Sequence, residues 1–146
     1  MTKWGVAVIG LLLWLASASV FAGKPLISGS PPITVNAGSA YLFVPTASDP
    51  DGDKLTFGIK NKPAWALFDT NTGVLSGVPT IKQVTFYKSM SLYVSDGKET
   101  VSLPLFTITV VNPPPVISGV PATTVTVGTA YRFAPVATDP NNDVLT

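Results

Sequence analysis

The chain has 146 residues, 46% of them apolar and only 12% charged, with 9 Lys and Arg against 8 Asp and Glu, no His and no Cys. That composition excludes Ser-His-Asp and Cys-His nucleophile systems, ordinary zinc sites, haem and iron-sulfur ligation, and any disulfide framework. A net charge of +1 lacks the basic excess that nucleic acid demands, and 14 Pro with 12 Gly favour short strands and turns over long helices.

Met1 to Ala22 has the three parts of a secretory signal: Lys3 near the start, an uncharged and mostly apolar run from Trp4 to Leu15, then small residues. Two cleavage patterns fit, Val20-Phe21-Ala22 before Gly23 and Ala16-Ser17-Ala18 before Ser19. The alternative is an uncleaved anchor, but the apolar run falls short of the roughly 20 residues that a span needs. The remainder is therefore expected outside the cell or at its surface, reaching the membrane only through this segment or through a longer protein. Without Cys, its stability must come from its core.

The sequence after the signal repeats itself. Pro25-Leu-Ile-Ser-Gly29-Ser-Pro31 recurs as Pro115-Val-Ile-Ser-Gly119-Val-Pro121, and the match continues through Gly38/Gly128, Tyr41/Tyr131, Phe43/Phe133, Pro45/Pro135, Asp49-Pro50/Asp139-Pro140, Asp53/Asp143 and Leu55-Thr56/Leu145-Thr146. A spacing of about 90 residues is the size of a small sandwich domain rather than a solenoid unit. The organisation expected is a signal at 1–22, a complete repeat at 23–112 and the first part of a second, truncated repeat at 113–146. A third of a sandwich leaves open edges and half a core, so the second copy should not be stable alone.

Within the complete repeat, period-two alternation marks half-buried strands. Ile33 and Val35 precede an Asn36-Ala37-Gly38 turn, Tyr41 and Phe43 follow, and Leu55, Phe57 and Ile59 come after an Asp-rich loop. Trp65 and Phe68 read as core before the turn Asp69 to Gly73. Met90, Leu92 and Val94 mark a strand ending at the turn Ser95-Asp96-Gly97-Lys98. Beyond it the phase changes beside Pro104, with Val101, Leu103 and Leu105 on one side and Phe106, Ile108 and Val110 on the other; a bulge or an edge is expected there, because Pro cannot donate to a ladder. Seven or so short strands without helical periodicity predict an all-β fold, an antiparallel seven-stranded sandwich. Asn112-Pro-Pro-Pro115 is a stiff spacer between units.

These motifs together resemble a known family. Ile-Ser-Gly, Thr-Val-x-x-Gly-x-x-Tyr-x-Phe, Asp49-Pro-Asp51-Gly-Asp53, Pro63-Ala-Trp65, Phe68-Asp-x-x-Thr-Gly73-Val-Leu-Ser-Gly77-x-Pro79 and Val94-Ser-Asp96-Gly97 are similar to the bacterial putative immunoglobulin-like domain, a relative of the cadherin and dystroglycan-type cadherin-like modules. The resemblance covers Pro25 to about Asn112, and Pro115 to Thr146 in part. It implies an Ig-like, cadherin-like extracellular sandwich, used in tandem in adhesion and sometimes with calcium.

Three carboxylates within five residues around a glycine are hard oxygen donors of the kind Ca²⁺ takes. An EF-hand is excluded because no Glu stands at the twelfth position from Asp49 or Asp53. The cadherin resemblance implies that Asp49 and Asp51, with Asp96 from another loop at the same end, could converge. Asp53 and, in the second copy, Asp139 complete the candidate metal residues. Much of a cadherin shell is missing: Ser76 to Gln83 has no acid, Asn112 is the linker's sole side-chain donor, and the second loop softens to Asp139-Pro-Asn141-Asn142-Asp143. Any site should be of low affinity. The competing reading is that these Asp residues form Asx turns with nearby backbone N–H groups.

Catalysis is not expected. A glycosidase needs two spaced carboxylates, one buried, whereas this chain has a single Glu, Glu99, beside Lys98 in a turn. Two roles are left: a tandem spacer and adhesion unit whose partners are neighbouring repeats and a cell-surface protein or polysaccharide, or an accessory polysaccharide-binding module of a secreted hydrolase. The second would need exposed aromatics, and of Trp65, Tyr87 and Tyr93 only the tyrosines are placed for exposure. The first is favoured.

Overall fold

A computed structural model describes residues 23–146; residues 1–22, where a secretory signal is expected, lie outside the described residues. Among the described residues twelve strands follow one another: β1 (Leu26–Ser28), β2 (Thr34–Asn36), β3 (Tyr41–Phe43), β4 (Thr46–Ser48), β5 (Thr56–Lys60), β6 (Ala66–Phe68), β7 (Leu75–Gly77), β8 (Phe86–Ser95), β9 (Thr100–Ser102), β10 (Phe106–Val111), β11 (Val116–Ser118) and β12 (Val136–Thr138). Among the described residues one 3₁₀ turn is present, Ile81–Gln83.

Ten of these strands reduce to seven. Proline explains each subdivision: Pro31 and Pro32 separate β1 from β2, Pro45 separates β3 from β4, and Pro104 separates β9 from β10. At Pro45 and Pro104 a residue without an N–H interrupts the ladder while the chain keeps its course; at Pro31 and Pro32 the chain changes layer. One layer has the order β3-β7-β6, with β4 continuing β3 and pairing β1. The other runs β2-β10-β8-β5, with β9 continuing β10 alongside β8. The pairings are antiparallel except one: β2 lies parallel to β10. The chain's first stretch thus crosses between layers at Gly29–Pro32, giving β1 to one and β2 to the other, and both edges gain a covering strand.

The expected bulge lies where the phase changes, for the β8–β10 register shifts between Phe106 and Ile108. Leu103 and Phe106 are both buried, while Leu105 faces solvent. Along β8, Met90, Leu92 and Val94 point inward and pack with Ile108 and Val110 against Tyr41, Phe43 and Leu75 of the facing layer. Ile33 departs from the expected alternation: it is exposed and only Val35 enters the core, because regular pairing of β2 begins at Thr34.

The second copy repeats the local geometry and lacks the cover. Leu26↔Ser48 in the β1–β4 pair corresponds to Val116↔Thr138 in the β11–β12 pair, the same register 90 residues on. Yet Tyr41 is 3% exposed and Tyr131 51%, Val35 8% and Val125 55%. The residue types are the same; what differs is the layer from Phe57 to Val110 that closes over the first set.

Candidate functional site

The candidate carboxylates gather where the chain enters each repeat. Asp49 folds its own loop: its Oδ1 accepts from the N–H of Asp51 at 2.8 Å and of Asp53 at 3.1 Å, an Asx turn that Gly52 allows by taking φ +77°. Asp96 does the same on the β8–β9 turn, accepting from Lys98 N at 2.7 Å and Glu99 N at 2.6 Å. The two loops are tied by an ion pair, Lys98 Nζ to Asp53 Oδ2 at 2.7 Å. Asp51 Oδ2 accepts from the backbone N of Gly23 at 2.5 Å. In the second copy Asp139 repeats the turn, accepting from Asn141 N at 3.0 Å and Asp143 N at 3.1 Å.

The Asx turns are therefore present, and the carboxylates share one end of the domain without forming a ring: among the described residues, no three acidic side chains lie close enough together to hold a metal ion. Asp51 is engaged with Gly23 and Asp53 with Lys98. Asp49 and Asp96 each keep an Oδ2 that is shielded from solvent and has no hydrogen-bond partner. Lys98 was legible only as a turn residue, because nothing in local sequence signals a bond across 45 positions.

Backbone N–H donors hold the Asp96 carboxyl below its ordinary range, those of Glu99 first and Lys98 second, and Asp69 is lowered by the N–H of Asn71 and the hydroxyl of Thr72. The hydrogen bond and charge of Asp53 push the Lys98 ammonium upward. A carboxyl whose folded pKa lies below its unfolded value stabilises fully above the unfolded value, about 3.9, and loses that contribution as pH falls through the folded one. The thermal midpoint is accordingly expected to drop between about pH 5 and pH 2, and to drop less steeply in an Asp69→Asn/Asp96→Asn double variant. Parallel curves for the two proteins would contradict this assignment.

The aromatics considered for sugar stacking are spent on packing. Trp65 meets Tyr41 edge-to-face at 5.8 Å and Tyr87 at 6.0 Å, and Tyr87 is half-buried with its hydroxyl donating to Gln83 O at 3.1 Å. Tyr93 lies across Gly58, where a β-carbon would come within 2.2 Å of its ring. Tyr41 is buried, donates to Pro32 O at 3.1 Å, and has its phenol pushed up to about 12 by burial.

At the joint, Asn112 Nδ2 donates to Asp143 Oδ2 at 3.0 Å and Asn141 Nδ2 to Asn112 Oδ1 at 2.9 Å. Among the described residues, no helix is long and apolar enough to cross a membrane.

The chain is similar to several known proteins. It is 32% identical over 88 residues to "Integrin beta-like protein A" of Dictyostelium discoideum, a match spanning 57% of this chain and only 4% of that relative. A crystal structure titled "putative alpha-galactosidase", from Bacteroides fragilis, superposes with a TM-score of 0.50 at 22% identity, over 66% of this chain and 20% of that one, a likeness of fold alone. Human protocadherin-24 EC1-2 gives a TM-score of 0.46 at 21% identity, over 84% and 62% of the two chains. The family model described as "Putative Ig domain" matches residues 24–111, which takes in both layers of the sandwich, and the chain belongs to that family.

Proposed function

We propose that this chain is a non-catalytic extracellular module of a bacterial surface or secreted protein, exported through Met1–Ala22 and acting as a tandem spacer and adhesion unit. One observation carries the reading: the entry loop of the second copy meets the end of the first through Asn112, so consecutive units are joined by side chains as well as by the Pro113-Pro-Pro115 spacer. Beads coated with the exported chain are expected to attach to cell-surface protein and to pass through polysaccharide columns. Retention on polysaccharide that is lost in Tyr93→Ala would favour the accessory role instead.

Weak calcium binding belongs to the same proposal. Asp49 and Asp96, with their unpartnered Oδ2 atoms, would hold the ion beside backbone carbonyls and water; the ion would supply fixed charge that stiffens the two loops. The thermal midpoint is expected to rise by about 3 °C between excess EDTA and a few millimolar CaCl₂, and an unchanged midpoint sinks this part.

A further inference from the structure

Each repeat's Asp loop captures a hydrogen-bond donor from the chain entering that repeat, and the two repeats use different donors. In the second, Pro113 has no N–H, and the Asn112 side chain supplies the donor to Asp143. In the first, the position equivalent to Pro113 is Gly23, whose backbone N reaches Asp51 Oδ2 at 2.5 Å. Gly23 also packs close, since a β-carbon there would lie 3.1 Å from Pro50. The loops differ in charge at the matching place: the leading repeat has the carboxylate of Asp51 where the following one has the neutral Asn141. A hydrogen bond with an ionised partner is about twice as strong as one between neutral groups, and a carboxylate facing an ammonium adds the attraction of opposite charges. Val20-Phe21-Ala22, immediately before Gly23, is one of the two signal-peptidase patterns in the chain.

We propose that hydrolysis of the Ala22–Gly23 bond makes Gly23 the mature amino terminus and that Asp51 holds its α-ammonium, so the entry loop of the leading repeat is a terminus-binding site. Water supplies the hydroxyl of the Ala22 carboxyl group and a proton to the Gly23 nitrogen, with the exporting cell's signal peptidase as catalyst. Cleavage after Ala18 would leave Gly23 an interior amide with no charge to offer. The charged groups around the contact are Lys24 beside it, Asp49 and Asp53 on the same loop, and Asp96 and Lys98 opposite. Lys98 is paired with Asp53, which leaves Asp51 to the terminus. The proposal rests on the export reading above.

The test is export of the full chain from a bacterial host, with intact mass and amino-terminal sequencing of the product, and the same for Asp51→Asn. The expected product begins at Gly23. At about pH 6.5 the midpoint of Asp51→Asn should lie about 3 °C below the parent's, with an unchanged far-ultraviolet dichroism spectrum, and the gap should close by about pH 10 as the α-amine loses its proton. Product beginning at Ser19, or at Gly23 with no difference between the two proteins at pH 6.5, overturns this proposal alone. A chain left uncleaved with the membranes overturns it together with the export reading.

Discussion

Gly73→Ala is expected to destabilise the protein by about 3 kcal/mol, through two costs at one atom. Gly73 has φ +73°, the left-handed region that costs an L-residue about 1–2 kcal/mol. It is also buried, and a β-carbon there would stand 2.6 Å from Phe57 Cδ1 and 2.7 Å from Pro45 Cγ. Neither neighbour is the loose end of a flexible side chain, so the core must move, at about 1–3 kcal/mol. The conformation is imposed by its turn, in which Gly73 N donates to Asp69 O at 2.8 Å and Asp69 N to Val74 O at 3.0 Å. Gly52→Ala separates the two costs: its φ is +77°, and nothing lies within 4 Å of the added atom. Urea unfolding should show the Gly52 variant losing about 1 kcal/mol and the Gly73 variant clearly more. Equal losses would mean that the Phe57–Pro45 contact carries no packing cost.

Leu75→Ala should cost a similar amount, about 3 kcal/mol, for the opposite reason: it empties space. Leu75 is fully buried in β7, the middle strand of its layer, with Phe43 on one side and Phe68 on the other in direct register. Its ring neighbours belong to separate strands and cannot all collapse into the gap. Leu67→Ala is the control, because Leu67 on β6 is 72% exposed, and its loss should stay within about 0.5 kcal/mol. A Leu75 variant as stable as the Leu67 variant would place the core elsewhere.

Much of this architecture can be read from local sequence. Met90, Leu92 and Val94 announce the inward face of β8, and the changed phase around Pro104 announces the bulge, because both are written in the spacing of neighbouring side chains. The parallel pairing of β2 with β10 cannot be read so, since alternation tells which side chains are inside and nothing about strand direction. The division of single strands into β3 and β4, or β9 and β10, follows from prolines that were visible in sequence, but only the backbone shows that the chain continues on the same course across them. At the candidate site, the turns of Asp49 and Asp96 were legible as one of two readings, each a matter of two to four residues. Lys98 with Asp53, Asp51 with Gly23 and Tyr93 over Gly58 were not, because they join residues 28 to 45 positions apart that only the closed sandwich brings together.

Apolar packing between two layers, from Pro25 to Val111, holds this molecule together, and the copy beyond Asn112 has the same local pattern without that packing. Hydrogen exchange on the full chain separates the two halves. The slowest amides should be those of Leu92 and Val94 in β8 and Val110 in β10, while amides in β11 and β12 exchange at rates approaching those of unstructured peptide. Protection spread evenly through residues 113–146, or absent from β8 and β10, would contradict the account.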